Sequence, residues 1–341
     1  MPDLKIFRPE SPFVTESGFK ISNLEIAYQC SGPAPEKARK IVWVFHALTA
    51  NSNPLDWWPG LFGKGKLFDP EEATVICANI LGSCYGSSGP HSINPDTGKP
   101  FGPNFPLITI RDMVRAHFLL RDFLGVKKIH VAIGGSMGGY QALEWSVLEP
   151  DFIERMILLA TSARESAWGI AIHTTQRMAL EADPEFFNPE GKGGTRGLMI
   201  ARGIGMLSYR NYQIFCEKQT DPDPEKKENF KVANYIRHQG EKLAGRFTAH
   251  AYHALTRSMD SHNLGRGRAS MENVLSQIKA KTLLIGISSD ILCPLDEQKF
   301  LASGIPGSHL QEIESDYGHD GFLVEAEKIK DCILAWEALT L

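Results

Sequence analysis

The chain has 341 residues, 43% of them hydrophobic and 22% charged, a composition that excludes intrinsic disorder and supports a core without disulfides or a structural metal. With 36 basic and 40 acidic residues the formal net charge is −4, so nothing favours a nucleic acid or an anionic membrane as partner. No run approaches the roughly 20 apolar residues of a membrane span, and the opening Met1-Pro2-Asp3-Leu4-Lys5 lacks the pattern of a signal peptide.

In chain order, Lys40–Phe45, Ala73–Asn79, Lys128–Ile133 and Arg155–Ala160 are short runs apolar on both faces, the pattern of strands covered by helices on each side. Residues 108–123 and Met137–Leu148 carry apolar positions at helical spacing, and Glu149-Pro150 ends the second. This alternation predicts an α/β fold with a mostly parallel central sheet. The rhythm breaks near residue 162. From there to about 275 the pattern is helical, in stretches such as 174–181, 197–207, 229–243 and 248–259. Strand signals return at Lys281–Ile287 and His309–Ile313, and a helix is expected over 321–339. The expected organisation is therefore a core of residues 1–162 and 276–341 with a helical lid inserted at 163–275. Between Gly86 and Pro106 lie four glycines and five prolines. A structureless stretch of that length after a strand end is expected to be an active-site loop.

The strongest chemical signal is Gly134-Gly135-Ser136-Met137-Gly138-Gly139. It places G-x-S-x-G between a strand and a helix, the context of a nucleophile elbow, and so predicts an α/β-hydrolase fold with Ser136 as nucleophile. A serine hydroxyl needs a base, and the base an orienting carboxylate, in chain order Ser, acid, His. Asp290 follows the strand ending at Ile287 and His319 follows the next strand; Asp316 is the alternative acid. The expected oxyanion donors are the backbone N–H groups of Leu48, after the strand end at His46, and Met137, at the start of the elbow helix. The ring of His46 is expected to be structural. His250 and His253, three apart on a predicted helix, lack further ligands at matching spacing, so no metal is expected. Arg266-Gly267-Arg268 reads as a solvated turn or salt-bridge site. The six cysteines (Cys30, Cys77, Cys84, Cys216, Cys293, Cys332) show no Cys-x-x-Cys pair and read as free thiols, which makes the cytoplasm the expected location.

Several longer segments carry a resemblance. They are His46-Ala47-Leu48-Thr49, residues 78–90 (Ala78-Asn79-Ile80-Leu81-Gly82-Ser83-Cys84 onward), Thr109-Ile110-Arg111-Asp112-Met113, Gly134 to Trp145, Gly197-Leu198 with Ala201-Arg202, and Tyr235 to Gly240. Over nearly its whole length the sequence resembles the homoserine O-acyltransferases of methionine biosynthesis. The resemblance implies a homoserine O-acetyltransferase with Ser136 as nucleophile, Asp290 as triad acid and His319 as base. It also implies Arg202 on the substrate carboxylate, Tyr209 beside the substrate and Asp320 on the amino group of homoserine. It further implies acetyl-CoA as a donor substrate with no bound cofactor, L-homoserine as acceptor, and a homodimer built through the lid helices. The sequence departs from the common family pattern at Ser83, Ser88, Ala50-Asn51 and His238. Relatives use acetyl-CoA or succinyl-CoA, some acylate serine, and an esterase or thioesterase of the same fold is the remaining reading.

Overall fold

The computed structural model describes residues 3–188 and 193–340. Met1 and Pro2 of the N-terminal segment read above lie outside it. Its strands are β1 (Lys5–Phe7), β2 (Phe13–Val14), β3 (Lys20–Ile21), β4 (Ile26–Ser31), β5 (Ile41–Phe45), β6 (Thr74–Ala78), β7 (Ile129–Gly135), β8 (Ile153–Leu159), β9 (Lys281–Ile287) and β10 (His309–Ile313). Eight form one sheet in the order β1-β4-β6-β5-β7-β8-β9-β10, and β2 pairs with β3 separately. β4 runs antiparallel to β1 and β6, and from β6 to β10 every pairing is parallel.

The helices are α1 (Pro54–Trp57), α2 (Ile110–Phe123), α3 (Met137–Leu148), α4 (Ala167–Glu181), α5 (Thr195–Tyr209), α6 (Tyr212–Gln219), α7 (Lys231–Ala244), α8 (Ala249–Asp260), α9 (Met271–Ser276), α10 (Leu295–Gly304), α11 (Gly321–Val324) and α12 (Ala326–Thr340). Side chains alternate across the sheet. Trp43 and Phe45 of β5 face Trp145 of α3, with Trp43 and Trp145 ring centroids 5.1 Å apart. Val42 and Val44 join the opposite layer with Ile329, Ile333 and Trp336 of α12. Each such fully buried side chain contributes about 1.5–3 kcal/mol.

All six expected strands form, as do the helices α2, α3 and α12. Strands β1 and β4 carried no signal that was read: β1 has three residues, too few for a period to show, and β4 is buried in its first half and half-buried in its second, neither alternating nor apolar throughout. The single helix expected over 321–339 is two. Trp58 Nε1 donates to the carbonyl of Phe322 at 2.7 Å, taking the acceptor that would carry the helix forward, and the chain restarts at Ala326. Helices α4 to α8 form the insertion between β8 and β9. The expected boundary at 275 falls inside α9, whose Leu275 is fully buried with the core residues Leu284 and Leu301.

Two sequence features take structural roles. The Gly86–Pro106 stretch does not line the catalytic cavity described below, contrary to the expected active-site loop. Instead the Oγ atoms of Ser87 and Ser88 accept from the backbone N–H groups of Ala27 and Glu25 at 3.0 and 2.9 Å, knitting the stretch to β4 and the turn before it. The Thr109–Met113 segment starts α2 with a reciprocal capping box between Thr109 and Asp112. Its Arg111 then bridges Glu16 and Glu144, each at 2.7 Å. Arg266 and Arg268 join the same network through Glu16 and Glu144, which makes the Arg266–Arg268 turn a salt-bridge site.

Candidate active site

Ser136 stands between β7 and α3 with φ 54° and ψ −127°, a backbone conformation that costs about 1–3 kcal/mol and persists only where its surroundings enforce it. Here they do. Ser136 N–H donates to Leu159 O at 2.9 Å, and its carbonyl accepts from Thr161 Oγ1 at 2.9 Å. A Cβ on Gly138 would sit 2.1 Å from Phe45 O, and one on Gly135 2.4 Å from the Phe322 ring. Only glycine lets α3 settle this close to the end of β5. The resulting turn lifts the Ser136 hydroxyl above the sheet.

The acid and base arrive from the ends of the last two strands, Asp290 after β9 and His319 after β10. The Ser136 hydroxyl donates to His319 Nε2 at 2.8 Å, and His319 Nδ1–H donates to Asp290 Oδ2 at 2.7 Å. Asp290 Oδ1 accepts from the backbone N–H groups of Leu292 and Cys293 at 2.8 and 2.9 Å, so both carboxylate oxygens are fixed. Asp316, the alternative acid, is exposed and makes no contact with His319. Burial works to lower the pKa of His319, but Asp290, with Asp320 and Glu165 behind it, outweighs burial and holds the imidazole above its ordinary value.

His46 is buried with its ring pinned between Ala47 O and the N–H of Ile80, and burial lowers its pKa to about 4. The ring is therefore a neutral strut, as expected. The backbone N–H groups of Leu48 and Met137 make no hydrogen bond to another described residue. Gln141 Nε2 donates to His46 O and Met137 O, both at 3.2 Å, and so clamps together the two segments that carry those donors.

The triad opens into a cavity of about 470 Å³ between core and lid. Leu48, Ser136, His319 and Asp320 come from the core, and Arg202, Tyr209 and His173 from the lid. Arg202 lies with its guanidinium carbon 5.3 Å from the Tyr209 ring centroid. Among the described residues no carboxylate is within ion-pair distance of it. Asp320 Oδ2 lies 2.9 Å from Arg210 Nε. Burial raises the Asp320 pKa, while Arg210, Arg202 and His319 pull against it and do not prevail. Lys242 and Arg246 are exposed cations on the rim. Arg246 reaches Thr49 O at 2.5 Å and Tyr85 Oη at 2.8 Å, tying lid to core beside Leu48.

Sequence reasoning missed several positioning residues. Ser289 Oγ donates to Ser315 O and accepts from Gly318 N–H at 3.0 Å, fixing the His319 turn to the Asp290 turn. Its only sequence signal was adjacency to Asp290. Thr161, Arg246 and the bond from Gln141 to His46 offered none, because those partners are distant in the chain. His250 and His253 serve the lid, on Phe186 O and Glu181 Oε1. Among the described residues no group of three or more His, Cys, Asp or Glu could hold a metal.

Comparison with known proteins agrees with this architecture. The family profile of the alpha/beta hydrolase fold matches residues 40–326. The homoserine O-acetyltransferase of Cyclobacterium marinum is 43% identical over 96% of this chain and 93% of its own. The chain belongs to the homoserine O-acetyltransferase family. Among solved structures, a homoserine O-acetyltransferase from Staphylococcus aureus superposes with a TM-score of 0.80 at 30% identity, covering 98% of this chain and 95% of that one. Esterase E22 superposes at 0.86 with 24% identity, over 97% of this chain and 100% of that one. That second likeness carries the fold alone.

Proposed function

We propose that this protein is a homoserine O-acetyltransferase that moves an acetyl group from acetyl-CoA to the hydroxyl of L-homoserine through an acyl-serine intermediate. One observation carries the reading. A complete Ser136–His319–Asp290 relay shares its cavity with an arginine, Arg202, that has no carboxylate of its own among the described residues.

Ser136 Oγ attacks the thioester carbonyl while His319 Nε2 takes the hydroxyl proton. Leu48 and Met137 N–H groups receive the oxyanion, and each such donor is worth about 2.7–4 kcal/mol in the transition state. The C–S bond breaks, the proton passes from His319 to the sulfur, and CoA leaves. Lys242 and Arg246 give the rim the positive charge that a phosphate-bearing donor suits. Homoserine then enters with its carboxylate bidentate on Arg202, its ammonium toward Asp320 and its carbon chain along Tyr209. His319 takes the acceptor's hydroxyl proton, the new ester forms, and the proton returns to Ser136 as its bond to the acyl group breaks. Water competes for the acyl-enzyme. Cover by the lid and in-line placement of the acceptor favour transfer over hydrolysis.

The test is free thiol release from acetyl-CoA with and without L-homoserine, with succinyl-CoA in parallel. Homoserine-dependent release, faster with acetyl-CoA, is expected; equal release without homoserine would mean a hydrolase. The lid also supports a homodimer. Met199, Ile200, Ile204 and Leu207 of α5 and Ile236 of α7 line an apolar groove of about 520 Å³, with Ile200 58% and Leu207 63% exposed. Leu207→Asp should shift sedimentation from dimer to monomer, and an unchanged coefficient would refute this interface. The six cysteines are free thiols and no described helix is long and apolar enough to cross a membrane. Both suit a cytoplasmic enzyme.

A further inference from the structure

The relay on Ser136 is not the only histidine–carboxylate pair facing the cavity. His173, on α4, is 3% exposed and lines the same space. Its Nδ1 lies 2.8 Å from Asp260 Oδ1 on α8, and the other oxygen of Asp260 is held by Arg177 NH2 at 2.6 Å. A carboxylate paired to arginine can only accept, so in the neutral imidazole Nδ1 carries the ring proton and the lone pair stands on Nε2. Nε2 makes no hydrogen bond to another described residue. It is also not sealed inside protein, as both ring nitrogens of His117 are. It opens into the cavity, a hydrogen-bond acceptor backed by a fixed negative charge.

An acceptor on the wall asks for a donor on the ligand. The acetyl thioester brings none at its reacting end. The acyl acceptor brings two, a hydroxyl and an ammonium, and His319 takes the hydroxyl. The ammonium has three N–H groups to place, and Asp320 already has one oxygen occupied by Arg210. We propose that His173 Nε2 receives the ammonium group of the acyl acceptor, sharing it with Asp320. This rests on the acyltransferase reading above and adds a lid residue that selects α-amino acids over simple hydroxy acids.

The experiment compares kcat/KM for L-homoserine with that for 4-hydroxybutyrate, the same acceptor without its ammonium. Because the readout is a ratio, it is insensitive to a lower folded fraction. In His173→Ala the preference for homoserine should narrow by roughly 10- to 100-fold, the range of one charge-assisted hydrogen bond. His173→Gln, which keeps a carbonyl acceptor, should recover part of it. A preference in His173→Ala equal to the parent's would overturn the proposal. Should that variant not fold, Asp260→Asn reads the same quantity. An asparagine amide donating to Nδ1 moves the ring proton to Nε2, and the preference should again narrow; an unchanged one counts against His173. Parent enzyme whose thiol release ignores homoserine would remove the acyltransferase reading and this one together. An unchanged ratio removes only the role of His173.

Discussion

Core and lid hold their functional groups in different ways. In the core, Asp290 has both carboxylate oxygens engaged, His319 both ring nitrogens, and Ser136 its N–H, carbonyl and hydroxyl. In the lid, Arg202 rests on the face of a tyrosine ring and Lys242 has no ion-pair partner among the described residues. The difference follows what each must do. Bond making needs reacting atoms held to a fraction of an ångström before substrate arrives. Recognition needs unspent hydrogen-bonding capacity, and a group already satisfied by the protein has none to offer. Under the proposed function, the lid with Asp320 is what directs the acyl group to homoserine rather than to water.

Substitutions in the two regions should separate the two half-reactions. Removing the nucleophile with Ser136→Ala should lower turnover by roughly 10⁴-fold or more and abolish any acyl-enzyme seen by intact-protein mass spectrometry; turnover near the parent's would refute the assignment. In the lid, Arg202→Ala should raise KM for homoserine by about 10²-fold, the scale of a lost charge-assisted pair, while acetyl-CoA alone still acylates Ser136. Loss of acylation to the same degree would mean that lid and core are not divided in this way.

A milder effect comes from pH. His319 acts as a base only when neutral, and its pKa lies above the ordinary value. The acylation rate, measured as the thiol burst, should fall about tenfold per unit as pH drops below that midpoint, which should itself lie above about 6.5. Asp290→Asn should move the midpoint down, since burial is then less opposed.

The smallest effect is on stability. His46, His117 and His262 are buried neutral with pKa values lowered, chiefly by burial, to about 4, 3 and 3. The unfolded chain binds more protons below about pH 6.5, so folded stability is lost as pH falls through that window. The limit is about 1.4 kcal/mol per unit for each ring, or roughly 4 for the three. Glu165 and Asp320, whose carboxyls burial holds up, work in the opposite sense and blunt the slope. Urea unfolding at pH 7, 6 and 5 checks this. His117→Phe, in a site lined by Trp43 and Phe45, should flatten the profile by about a third of that limit.

Much of the core was legible because its signals are local. Doubly apolar runs mark buried strands, Gly138 marks close backbone approach, and Asp290 and His319 each stand just past a strand. The lid was legible only as helices. Its periodicity does not say which face meets the core, and a resemblance rather than spacing pointed to Arg202, Tyr209 and Asp320. The Gly/Pro stretch was misread because its turns look the same whether they frame a substrate or brace β4, and the braces are serine hydroxyls bonded to backbone some sixty residues away.

By itself, then, the sequence determined the alternation of strand and helix, the elbow at Ser136 and the order of its partners, since each depends on residues within a few positions of one another. Tertiary structure alone decided that Asp290 and not Asp316 faces His319, that Ser289 and Gln141 hold the machinery in register, and that His173, paired with Asp260, lines the same cavity as Ser136. Those outcomes depend on contacts between segments tens to hundreds of residues apart, whose meeting is set by how the whole chain packs.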